Sequence, residues 1–232
     1  MRDETLKAIF EHAAAEYPRE CCGVIAQKSR VEKYFPCRNI TTLPNEQFEL
    51  SPEDYASAED WGTITAIVHS HPDARPIPSE LDRLQCDKHL LPWVIVSWPD
   101  GEHKVIEPRG KRPLIGRPFV LGHADCWSLI MDWHKEQGII LKDYSVDYHW
   151  WETGGDLYSD NWYAEGFREV KTPRPGDMVL MQVSAKVTNH AGILLEDNML
   201  LHHLYGQLSC RVPYAGYWRD RTIAIVRHKD LP

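Results

Sequence analysis

The sequence predicts an α+β protein of two domains, residues 1–110 and 117–232. Three observations support this. The chain has 232 residues, more than the roughly 100 to 200 of one ordinary domain. Between Glu107 and Pro118 it reads Glu-Pro-Arg-Gly-Lys-Arg-Pro-Leu-Ile-Gly-Arg-Pro, rich in chain breakers and basic residues and the best linker candidate present. On each side of that run, one or more helical patterns are followed by strand-like runs, so each half can build its own core.

In the first half, Leu6, Ile9, Phe10, Ala13, Ala14 and Tyr17 recur at three- and four-residue steps and mark an amphipathic helix that Pro18 ends. A short strand is expected over Cys21 to Ala26. Thr63 to His71 is β-branched and apolar and reads as a buried strand, and Pro78 and Ser79 open a helix to about Leu91. Trp93 to Trp98, Asp100-Gly101 and His103 to Ile106 give a strand, turn, strand signal. In the second half, Asp125 can cap a helix from Cys126 to about Gln137, which Gly138 stops. The Trp-, Tyr- and Asp-rich stretch from Asp143 to Phe167 reads as a long ordered excursion. Pro175-Gly176-Asp177 then introduces three strand-like runs, Met178 to Val183, His190 to Leu195 and Met199 to Leu204.

Composition narrows the function. With 43% hydrophobic and 26% charged residues the chain is of soluble globular type. A formal charge of −8 argues against a nucleic-acid partner held by phosphate contacts, which need a surplus of Lys and Arg. No apolar run reaches membrane-spanning length, and the segment from Met1 to Phe10 lacks the apolar centre of a signal peptide. Synthesis in the cytoplasm of the producing cell is therefore expected. Six cysteines with no Cys-x-x-Cys pair do not suggest a disulfide framework.

His69 and His71 stand two apart on a predicted strand, so both side chains leave one face and can reach one ion. Alone, such a pair is more often structural, and Ser79 with Asp82 alone reads as an N-cap with an acid in the first turn. The whole pattern His-x-His-x(7)-Ser-x(2)-Asp is expected by composition only about 0.002 times in a chain like this. It offers two imidazoles and a carboxylate, the donor set of a catalytic rather than a structural zinc site. With Glu20, these residues resemble the complete motif of the JAMM (MPN+) metalloproteases. The resemblance implies a mixed sheet with flanking helices and a zinc ion bound by His69, His71 and Asp82. It also implies that Glu20 accepts a proton from the metal's water and that Ser79 stabilises the oxyanion.

Asp125-Cys126-Trp127 falls where a helix begins, and a helix N-terminus favours thiolate over thiol. Asn189-His190 at a later strand start and His202-His203 after a turn supply a base and an orienting group. A two-residue turn at Asp197-Asn198 would put His203 on the face of His190, whereas a three-residue loop would put His202 there. This half resembles the papain-like NlpC/P60 cysteine peptidases, of which Pro175-Gly176-Asp177 is also typical. The resemblance implies Cys126 as nucleophile, His190 as base and, by the family's spacing, His202 as third residue.

Both domains in one short chain, together with Asn189-His190-Ala191 and the run from Leu201 to Ser209, resemble the tail tip assembly proteins of lambda-like phages. That resemblance implies tail tip or hub proteins as partners, peptidoglycan stem peptides as substrate of the cysteine site, and a place at the virion tail tip or the bacterial cell wall. A mainly architectural role in the tail tip is the competing expectation.

Overall fold

The computed structural model describes residues 1–232, which divide into two compact units, Met1–Lys111 and Arg112–Pro232. No helix is long and apolar enough to cross a membrane.

The first unit contains α1 (Asp3–Glu16), β1 (Cys22–Lys28), β2 (Val31–Cys37), α2 (Pro52–Trp61), β3 (Thr63–Pro72), α3 (Glu80–His89), β4 (Trp93–Trp98) and β5 (His103–Ile106). Its sheet runs β2-β1-β3-β4-β5. β3 and β4 are parallel, joined through α3, and the other neighbours are antiparallel. Alternation along the central strands sorts side chains between two cores. Ile25, Ala66, Val68, Val94 and Val96 pack with Ile9 and Ala13 of α1. Val24, Ile67 and Ile95 pack on the other face with Ala58 of α2 and Cys86 of α3. From Ile67 onward the odd-numbered residues of β3 therefore face the α3 side, which is what brings His69 and His71 to that helix's start.

The second unit contains α4 (Cys126–Glu136), α5 (Leu157–Asn161), β6 (Phe167–Glu169), β7 (Met178–Met181), β8 (His190–Leu195), β9 (Met199–His202), β10 (Cys210–Pro213), α6 (Tyr217–Asp220) and β11 (Thr222–His228). Its antiparallel sheet runs β10-β9-β8-β7-β11-β6. Leu129 and Ile130 of α4 pack on Met178, Ala191, Ile193 and Val226, while Val179, Met181, Leu194 and Leu200 form a second core beneath. The excursion is ordered: Trp150 and Tyr158 are buried in the α4 core. Pro175-Gly176-Asp177 is an anchor. Gly176 takes φ +95°, a conformation glycine adopts without strain, and the fully buried Asp177 receives two bonds from Arg227 at 2.6 and 2.9 Å.

Candidate active sites

In the first unit, α3 begins with a capping box. Ser79 Oγ accepts from the Asp82 N–H at 3.0 Å, and an Asp82 carboxylate oxygen accepts from the Ser79 N–H at 2.7 Å. The N-cap reading of Ser79 and Asp82 is thus realised, and the same carboxylate also meets both histidines. Asp82 Oδ1 lies 3.2 Å from His69 Nε2 and Oδ2 lies 3.5 Å from His71 Nε2. The two Nε2 atoms are 3.1 Å apart. One potential ligand atom from each of the three residues lies within 4.8 Å of the others.

Several neighbours hold this trio. His71 Nδ1 donates to the Arg75 carbonyl oxygen at 3.1 Å, which leaves the Nε2 lone pair aimed at the cluster. Phe48 stacks on the His69 ring at 4.6 Å and Trp93 meets it edge-on at 5.4 Å. Burial lowers the His69 pKa below the imidazole range. Burial pushes the Asp82 carboxyl up, but bonds to His69 and His71 outweigh it and hold it well below the usual carboxylate range. Glu20 is buried beside them, and burial raises its carboxyl to about 7, with His71 pulling down and Asp82 adding to the rise. Burial lowers the His71 pKa, but the bonds to Asp82 and the Arg75 carbonyl outweigh it and raise it. A carboxylate, two imidazoles and an acid of raised pKa fit a divalent metal with a base at its side.

In the second unit, Asp125 caps α4. Its Oδ1 accepts from the Ser128 N–H at 2.9 Å and its Oδ2 from the Gly122 N–H at 3.0 Å. Cys126 opens the helix and lines a groove of about 440 Å³ with His190. Its Sγ accepts a hydrogen bond from the Tyr158 hydroxyl at 3.1 Å and makes none with His190. Burial pushes the Cys126 thiol up to about 12, with the neighbouring Asp125 adding to it, against the Tyr158 bond. The helix N-terminus does not offset that desolvation.

The turn between β8 and β9 is a three-residue loop, Glu196–Asn198, with Leu195 opposite Met199. His202 therefore shares the face of His190, and its Nδ1 is 3.1 Å from His190 Nε2. Trp218 lies over both rings, with centroids at 4.2 Å from His202 and 5.9 Å from His190. Burial lowers His190 to about 3 and His202 to about 4, each with a contribution from a neighbouring imidazole. His203 instead packs edge-on to Phe119. Gly192 stands opposite His202, where an added Cβ would come within 2.8 Å of the Leu201 carbonyl and 3.1 Å of His202 Cβ. Asn189 fastens the strand start by bonding both the N–H and the carbonyl of Val183.

Sequence reasoning missed Tyr158, Trp218 and Phe48, which carry no motif of their own. It also left unassigned the aromatics of the excursion, of which Tyr144, Trp150 and Trp151 line the groove with Trp127 and Tyr205.

Residues 2–107 match the family described as prokaryotic homologs of the JAB domain, and residues 116–227 match the NlpC/P60 family. The chain is similar to Tail tip assembly protein K of Escherichia phage N15, at 65% identity over 235 aligned residues, covering 100% of this chain and 97% of that protein. It is 40% identical over 182 residues to Tail tip assembly protein K of Escherichia phage lambda, covering 78% of this chain and 89% of the other. Desampylase of Haloferax volcanii is 32% identical over 118 residues, 47% of this chain and 78% of that protein.

Proposed function

The chain belongs to the family of phage tail tip assembly proteins K, and from that premise we propose that it works at the tail tip as a peptidase with two separate hydrolytic sites. The cysteine site cleaves an amide in peptidoglycan stem peptides during tail assembly or host entry. The other is a zinc-dependent (iso)peptidase. Made in the host cytoplasm, such a chain meets the cell wall through its association with tail tip or hub proteins.

The observation that carries the reading is that His190, with His202 bonded behind it, lines the same groove as Cys126 at a helix start. That is acyl-transfer machinery. Cys126 supplies the sulfur and His190 takes its proton. The thiol and the imidazole are both neutral at rest, so the proton moves as the substrate carbonyl arrives rather than beforehand. Tyr158 donates to the sulfur and stabilises its charge as it develops. The aromatic walls of the groove exclude water and hold the peptide.

At the other site His69, His71 and Asp82 would hold the metal, which when bound makes a water acidic and polarises a carbonyl. Glu20, with its carboxyl raised to about 7, is suited to take a proton near neutral pH and return it to the leaving group. Ser79 Oγ, at the helix start beside Asp82, is the group for a developing oxyanion.

Digestion of purified cell-wall fragments by wild type, Cys126→Ala and His69→Ala/His71→Ala, with released peptides identified by mass, tests the proposal. New termini should disappear with Cys126→Ala and persist with the histidine variant. A second reading, that the chain is mainly an assembly component, is favoured by the half-buried, neutral Cys126 that makes no bond to His190. It leads if wild type releases nothing.

A further inference from the structure

The His190–His202 pair continues to a third group. The other ring nitrogen of His202, Nε2, is 3.5 Å from Cys210 Sγ. Cys210 and His202 are direct cross-strand partners of β10 and β9, so the contact is built into the sheet register. His202 is 1% exposed and covered by Trp218. Its two ring nitrogens therefore engage His190 on one side and Cys210 on the other.

A neutral imidazole has one N–H donor and one acceptor nitrogen, so a chain of two such rings has a direction. For His190 to accept a proton at Nδ1, its Nε2 must carry hydrogen and donate to His202 Nδ1. His202 must then carry its own hydrogen on Nε2, and that N–H needs an acceptor. In the opposite direction His190 carries hydrogen on Nδ1 and cannot act as base. Sulfur is a weak acceptor, but it is the one this N–H meets.

We infer that Cys210 is a positioning residue of the cysteine site, accepting from His202 Nε2–H and so selecting the tautomer of His190 that can take a proton. The inference rests on the proposed roles of Cys126 and His190. Cys210 touches neither substrate nor nucleophile. It acts through His202, as a partner behind a histidine commonly sets its tautomer. No net transfer occurs at Cys210: the thiol proton of Cys126 goes to His190 Nδ1, and the two hydrogen bonds behind it keep their direction.

The full-length protein, labelled with nitrogen-15 at histidine, is compared as wild type, Cys210→Val and Cys210→Ser. Nitrogen shifts report the tautomer of His202 directly, and acylation by p-nitrophenyl acetate reports the attack of Cys126 without needing peptide recognition. Wild type should show His202 protonated at Nε2. Cys210→Val should mix the tautomers and slow acylation by up to about tenfold, the worth of one hydrogen bond. Cys210→Ser, which keeps an acceptor, should restore both. Should Cys210→Val not fold, Cys210→Ala removes the acceptor with less bulk. Unchanged tautomers in the apolar variants would overturn the inference, as would a serine variant that behaves like valine. Because the nitrogen shifts need no catalysis, they decide the role of Cys210 even if wild type is not acylated, a result that would count against the peptidase reading instead.

Discussion

His71 Nδ1 donates to the carbonyl oxygen of Arg75 at 3.1 Å, and this one bond decides which end of the ring can serve a metal. Nε2 is the nitrogen left for a ligand, and it is the one that converges with His69 Nε2 and Asp82.

Purified protein should accordingly bind about one zinc per chain, measured by elemental analysis after expression in zinc-replete medium. His69→Ala with His71→Ala should abolish binding. Glu20→Gln, which changes no ligand, should keep the metal and lose hydrolysis at this site. A wild-type preparation that neither contains nor takes up metal would remove the metalloprotease reading.

Tyr158 gives a finer test of the second site. Replacing it with Phe deletes the O–H that donates to Cys126 Sγ at 3.1 Å while keeping the ring in its core. The loss of one hydrogen bond to a developing thiolate should cost about 1 to 2 kcal/mol in the acylation barrier, a roughly five- to thirtyfold slower burst with p-nitrophenyl acetate. Binding of stem peptide should change little. An equal rise in KM with kcat unchanged would show Tyr158 to be a groove wall only.

How much of this was legible in the sequence follows from what each residue answers to. His69, His71, Ser79 and Asp82 lie close along the chain, so the strand's two-residue period and one short connection fix their meeting. His190 and His202 needed a loop length that the residues left open. The structure supplies it as Glu196–Asn198, with Asp197 and Asn198 both at positive φ. β2 was missed because it is an edge strand with Glu32, Lys33 and Pro36, whose alternation of charge hides its two buried residues, Tyr34 and Cys37. α2 buries only Ala58, so its apolar stripe is too narrow to read, although Ser51-Pro52 is a good start signal. Tyr158 is brought to Cys126 by tertiary packing alone.

Acid should weaken the second unit through His134. This ring is fully buried on α4, its Nδ1 donates to the Ile130 carbonyl at 2.9 Å, and its Nε2 has no hydrogen-bond partner. Burial lowers it from an ordinary 6.5 to about 4. The unfolded chain thus takes the proton first. The stability tied to this neutral ring is complete above pH 6.5, falls as pH drops through the window to about 4, and is gone below it. The difference amounts to about 3 kcal/mol. Hydrogen exchange of α4 amides at pH 7 and pH 4.5 should show this loss, and His134→Gln should reduce its slope. An identical slope in both proteins would assign the acid sensitivity to other groups, of which His190, lowered to about 3, is the nearest alternative.

Gly192 offers the most direct control over the cysteine site without touching any reacting group. It faces His202 across β8 and β9, and its missing side chain is what lets the two strands close at that point. A methyl group there would stand 2.8 Å from both the Leu201 carbonyl oxygen and Leu200 Cδ1. Backbone cannot yield as a flexible side chain would, so β9 must move by a few tenths of an ångström or more. His190 Nε2 and His202 Nδ1 are 3.1 Å apart, near the outer limit of a good bond, and that shift is enough to break it. Gly192→Ala should therefore leave a folded chain with bound metal in the first unit, destabilise the second by about 1 to 3 kcal/mol, and slow acylation of Cys126 more than Cys210→Val does. Nitrogen-15 shifts of His190 should report a ring that exchanges between tautomers. If Gly192→Ala acylates at the wild-type rate with both histidine signals unmoved, the pair is not what orients His190, and the aromatic cover of Trp218 would be left to do so.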